Sequence, residues 1–134
     1  MKVEVAIDSG AAGCVCGFDH FPGANVKEGK ALTTGVQYIC ADGGRIPNLG
    51  EQNIQSMTTE GAKFDVVFQV TQVDRPLLSV SKLTKAGHTA KFEGSGGYIV
   101  NGITGGLTKF RLQSDIYILD LWVKKSGGSR QWYT

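Results

Sequence analysis

Phe64-Asp65-Val66-Val67-Phe68-Gln69-Val70 carries the cleanest alternation in the chain, placing Phe64, Val66, Phe68 and Val70 on one face of an extended segment. It predicts a core strand. The same two-residue period sets Val3, Val5 and Ile7 on one face near the start, and Tyr117, Leu119, Leu121 and Val123 on one face near the end. Shorter runs predict further strands at residues 11–16, 36–40, 89–92, 98–100 and 107–112, with a returning arm over 45–54. Only Leu77 to Gly87 reads as a helix, with Ser79 or Ser81 as its N-cap and Gly87 in the place of a C-terminal glycine. Residues 17–29 lack periodicity and read as a surface loop, pinned to the core by Phe18 and Phe21. One domain over 1–123 follows, with 124–134 as a polar, Gly/Ser-rich, frayed tail.

Composition agrees with a β-rich fold. Gly occurs 19 times and Pro 3 times in 134 residues, so short strands and tight turns are favoured over helices. The length suffices for a core without disulfide staples. A net charge of +2, with dispersed Lys and Arg, offers no nucleic-acid surface. No apolar run approaches the ~20 residues that a membrane helix needs, and the charged N-terminus is not a signal peptide. Cys14, Cys16 and Cys40 cannot all pair within one chain, which points to a reducing, intracellular setting. With His20 these cysteines match no usual zinc spacing, so no metal site is expected.

Chemistry is concentrated at Ala6-Ile7-Asp8-Ser9-Gly10-Ala11. An apolar strand runs there into a carboxylate, a hydroxyl and a glycine. A turn of this kind lets the carboxylate accept backbone N–H groups from Gly10 and Ala11, because glycine permits close approach. Taken alone, Asp-Ser-Gly also marks an ordinary surface turn. Farther on, Ala41-Asp42-Gly43-Gly44 contains the Asp-Gly pair that signals a hairpin. Two readings stay open for it: a plain surface hairpin, or a mobile flap over a bound peptide. His88, just past the helix, reads as a helix-terminal surface residue.

The motif resembles the active-site loop of aspartic proteases: two apolar residues, Asp, Ser or Thr, Gly, then Ala or Ser. The order of elements extends the likeness to the retropepsins of retroviruses and retrotransposons, most closely to the protease segment of copia-type polyproteins. Its carriers are Asp8-Ser9-Gly10-Ala11, the flap-like Ala41-Asp42-Gly43-Gly44-Arg45-Ile46-Pro47-Asn48-Leu49-Gly50, and Pro76-Leu77-Leu78-Ser79-Val80-Ser81-Lys82-Leu83 with Ala86-Gly87 behind it. The resemblance implies a mostly β fold, a retropepsin-like closed β-barrel with a flap hairpin and one short helix. It implies Asp8, Ser9 and Gly10 as the catalytic loop and Ala11, Ala41, Asp42, Gly43, Gly44, Arg45 and Ile46 as substrate-binding residues. Two departures stand out. Ser79 occupies a position that is Gly in many retropepsins, and only seven residues precede Asp8. The second departure moves the dimer contact elsewhere, with residues 117–123 as one candidate, or marks the chain as excised from a longer polyprotein.

The chemistry requires two carboxylates sharing one proton, one activating water and the other protonating the carbonyl oxygen. No second Asp-Ser/Thr-Gly exists in the chain. The resemblance therefore implies a homodimer in which each copy supplies its Asp8, acting on an extended peptide or polyprotein without a cofactor. The competing expectation is a catalytically silent dimerisation or peptide-binding module of the same fold.

Overall fold

The computed structural model describes residues 1–28, 37–39 and 45–123, with the backbone alone at 37–39 and 45–47. The fold is mostly β, with one short helix among the described residues. Nine strands form the main sheet: β1 (Lys2–Asp8), β2 (Val15–Cys16), β5 (Glu51–Thr58), β6 (Lys63–Val70), β7 (Leu77–Ser79), β8 (Thr89–Glu93), β9 (Gly96–Val100), β10 (Leu107–Gln113) and β11 (Ile116–Val123). β3 (Gln37–Ile39) and β4 (Arg45–Pro47) pair separately as an antiparallel ladder. The tip between them, Ala41 to Gly44, and the expected tail at 124–134 lie outside the described residues.

In the main sheet the order is β1-β7-β2-β6-β5-β11-β10-β9-β8, and β1 also pairs with β11. Alternation explains the burial. Phe68 and Val70 are fully buried, while Phe64 and Val66, nearer the turn that joins β5 to β6, are only partly covered. Phe68 stacks on Phe21 with ring centroids 5.0 Å apart, so Phe21 pins the 17–28 loop as expected. Phe18 does not, since it is 57% exposed. Beneath the loop, the buried Gln52 amide donates to the Ala24 and Phe21 carbonyls at 3.0 and 3.4 Å, and its oxygen faces Cys16 Sγ at 3.3 Å.

Three expectations are corrected in detail. The strand expected over 11–16 shrinks to β2, because residues 11–14 are used in the turn away from β1. The arm expected over 45–54 is cut at Asn48–Gly50. There Gly50 has φ 126° and donates its N–H to Asn48 Oδ1 at 2.8 Å, a geometry that redirects the chain into β5. The helix, α1 (Val80–Lys85), starts three residues late, since Leu77–Ser79 is drawn into the sheet as β7. It ends as predicted: Gly87 at φ 93° donates to Thr84 O, and His88 N–H returns to Leu83 O at 3.0 Å, both closing the last turn. Finally, both hydrogen-bonding edges of β11 are occupied within the chain. β1 takes residues 118–122 on one side; β10 takes 116–118 and β5 takes 121–123 on the other.

Candidate active site

Asp8 is the last residue of β1 and is half-exposed, whereas Val5, Ala6 and Ile7 before it are buried. The strand thus anchors a carboxylate at the rim of the core. Gly10 donates its N–H to Asp8 Oδ1 at 2.8 Å. That bond holds the side chain over its own turn, as an Asp at a turn commonly does. Ser9 and Gly10 lie at the surface, leaving the outer side of the loop open.

The loop is held by a strand that threads past it. β7 runs parallel to β1, with Ala6, Ile7 and Asp8 opposite Leu77, Leu78 and Ser79, and meets β2 antiparallel at Val15. β7 therefore lies between the two strands that the Asp8 loop connects. Pro76 O accepts from Ala6 N–H at 2.9 Å and opens this ladder.

Asp8 faces a cleft of about 690 Å³. One wall is the 72–77 segment, including Asp74, Arg75 and Leu77; the other is the β10–β11 turn with Asp115, Ile116 and Tyr117. The second wall follows from register. Ala6 opposes Ile118 across the antiparallel β1–β11 pair, so two residues farther along β1 brings Asp8 level with Ile116. Ser114 and Asp115 form the tight turn with φ of 52° and 66°. Tyr117 is fixed behind it by edge-on contacts with Phe92 and Phe110, at centroid distances of 4.8 and 5.7 Å. The first wall is tied down by His20, whose Nδ1 accepts from Gly17 N–H at 2.8 Å while Nε2 donates to Asp74 O at 3.0 Å.

Of the residues expected to bind substrate, Ala11 is in the loop, with its carbonyl turned to Ser79. Arg45 and Ile46 stand in β4 opposite Ile39 and Tyr38. Ala41, Asp42, Gly43 and Gly44 lie outside the described residues. Sequence reasoning missed Arg75, Leu77, Ile116 and Tyr117 as lining residues. The Ser114-Asp115 pair between two alternating runs could have marked the hairpin, but its position beside Asp8 arises only from the β1–β11 pairing.

Cys14, Cys16 and His20 point to different partners. Cys14 Sγ accepts from Ser79 N–H, Cys16 meets Gln52, and His20 binds backbone groups. Burial raises the Cys14 thiol above its ordinary value and pushes Cys16 up to about 12. Both thiols should stay unreactive to a thiol reagent until the protein opens. The folded state holds the Cys16 proton to higher pH than the unfolded one. Stability due to Cys16 is complete below the unfolded value near 9.0 and is lost as pH rises from there toward about 12, at up to ~1.4 kcal/mol per pH unit. Cys16→Ala should flatten that alkaline slope in denaturant titrations at successive pH values. An unchanged slope would contradict the assignment.

Comparison of the chain with protein-family models, with curated proteins and with solved structures finds no match, so the geometry carries the functional reading.

Proposed function

We propose that this chain is one half of an aspartic endopeptidase of the retropepsin type, acting as a homodimer on an extended peptide, with polyprotein processing as its setting. The observation that carries the reading is Asp8. It is a carboxylate at the end of a buried strand, held by Gly10 N–H and facing a large open cleft, with β7 threaded between the strands on either side of its loop. A closed barrel is in keeping with the strand pairings: β1, β7, β2, β6, β5 and β11 follow one another by hydrogen bonds and lead back to β1.

Mechanistically, one Asp8 accepts a proton from water as that water attacks the scissile carbonyl, while the protonated Asp8 of a second copy gives its proton to the carbonyl oxygen; as the C–N bond breaks, the first Asp8 passes the proton it took to the leaving amine and the second recovers its own from the gem-diol hydroxyl. Two carboxylates close enough to share one proton cannot both be charged, an effect for which aspartic proteases are the standard example. Ser9, exposed beside Asp8, bonds across the two-fold axis of the dimer. Leu77, Ile116 and Tyr117 supply an apolar wall for a substrate side chain, and the peptide backbone pairs in strand fashion beneath a flap built on the β3–β4 ladder.

A site completed by a second copy makes specific activity depend on protein concentration. Peptide-library cleavage measured over a dilution series, with native mass recorded at each point, should show activity per chain falling as dimer gives way to monomer. Constant activity per chain in a strict monomer would reject the dimeric site. A pepstatin-type inhibitor should raise the melting temperature of the protease, whereas a silent binding module lacking the dyad should show no shift.

A further inference from the structure

Three segments converge on Ser79. Its backbone pairs with Asp8 across the parallel β1–β7 ladder, and its N–H donates to Cys14 Sγ at 3.3 Å. Its hydroxyl donates to the Ala11 carbonyl at 2.6 Å and accepts the Lys82 N–H at 3.2 Å, capping α1. The residue is completely buried.

A hydroxyl has one proton and two lone pairs. An N-cap uses a lone pair alone and leaves the proton free for water. Here the proton is committed, in a dry site, to the loop that follows Asp8. Glycine at this position would leave the Ala11 carbonyl and the first turn of α1 without these partners. One side chain thus fastens the helix and the Asp8 loop to each other, and the Cys14 contact fastens the far end of the same loop to the same residue.

We infer that Ser79 is a positioning residue for Asp8: by holding Ala11 it keeps the Gly10 N–H on Asp8 Oδ1 and the carboxylate toward the cleft. The inference rests on the reading of Asp8 as the catalyst.

The test compares Ser79→Ala with Leu83→Val in the full chain, measuring kcat and KM on a cleaved library peptide, melting temperature, and amide exchange at Gly10 to Gly13. Leu83 is buried in the same helix, so its truncation loosens α1 without touching the Ala11 bond. Ser79→Ala is expected to lower kcat by about tenfold or more, with KM within about twofold, and to speed exchange across the loop. Leu83→Val, at an equal loss of melting temperature, should do neither. Equal kcat losses in the two variants, or loop exchange unchanged in Ser79→Ala, would overturn the positioning role. Should Ser79→Ala fail to fold, exchange in the unmutated protein decides: a shared opening of the loop and α1 amides supports the coupling, and independent opening refutes it. Faster loop exchange in Ser79→Ala, combined with cleavage that survives Asp8→Asn, would instead discard the catalytic reading while leaving the anchor in place.

Discussion

Asp8→Asn should lower peptide cleavage by roughly 10²–10⁴-fold, the range supplied by a positioned acid–base group. The protein should stay folded to within about 0.5 kcal/mol of the unmutated chain, because the site is half-exposed and the asparagine oxygen still accepts the Gly10 N–H. An amide cannot take a proton from water, and that is the whole of the intended change. Mixing sharpens the test. If two chains each supply one Asp8 and exchange freely, an equal mixture of variant and unmutated protein should retain about a quarter of the activity of the all-unmutated dimer. Retention near one half would mean that each chain works alone. If two Asp8 carboxylates share one proton as proposed, the rate should peak in mildly acidic solution and fade as both ionise. Cleavage that persists in Asp8→Asn, or keeps climbing into the alkaline range, would remove Asp8 from the chemistry.

Phe68→Ala should be among the most damaging core substitutions, costing about 3–5 kcal/mol. Phe68 is fully buried at the centre of the hydrophobic cluster and stacks on Phe21. Its loss opens a cavity and frees the loop that Phe21 and Gln52 hold against β2 and β5. A domain typically has only about 5–15 kcal/mol of stability, so partial unfolding near room temperature is an expected result. Val67 next to it points to solvent, with 51% of its surface exposed, and Val67→Ala should change stability by no more than about 0.5 kcal/mol. Denaturant midpoints of the two variants check the contrast; similar losses would mean that the face of β6 has been misassigned.

Much of the fold was legible in the chain's own pattern. The alternating runs at Val3 to Ile7, Phe64 to Val70, Leu107 to Leu112 and Tyr117 to Val123 all appear as strands, because a sheet with one buried face demands that period. Gly87 ends the helix where a left-handed residue was needed. Errors fell where long-range pairing overrode local preference. Leu77–Ser79 carries a helix-compatible pattern but lies between β1 and β2, and a ladder on both sides outweighs the extra turn of helix. Residues 11–14 look extended, yet the chain must turn there to bring Cys14 under Ser79.

Sequence by itself determined the β-rich class, the faces of the longer strands, the helix end and the turn into which the first strand runs at Asp8. These depend on neighbours within a few residues, where side-chain period and backbone freedom act directly. Tertiary structure alone decided that Ser79 joins the loop to α1, that the β10–β11 turn walls the cleft beside Asp8, and that β11 is paired along both edges. Those facts depend on which distant strands share hydrogen bonds and in what register, and no local pattern carries that information.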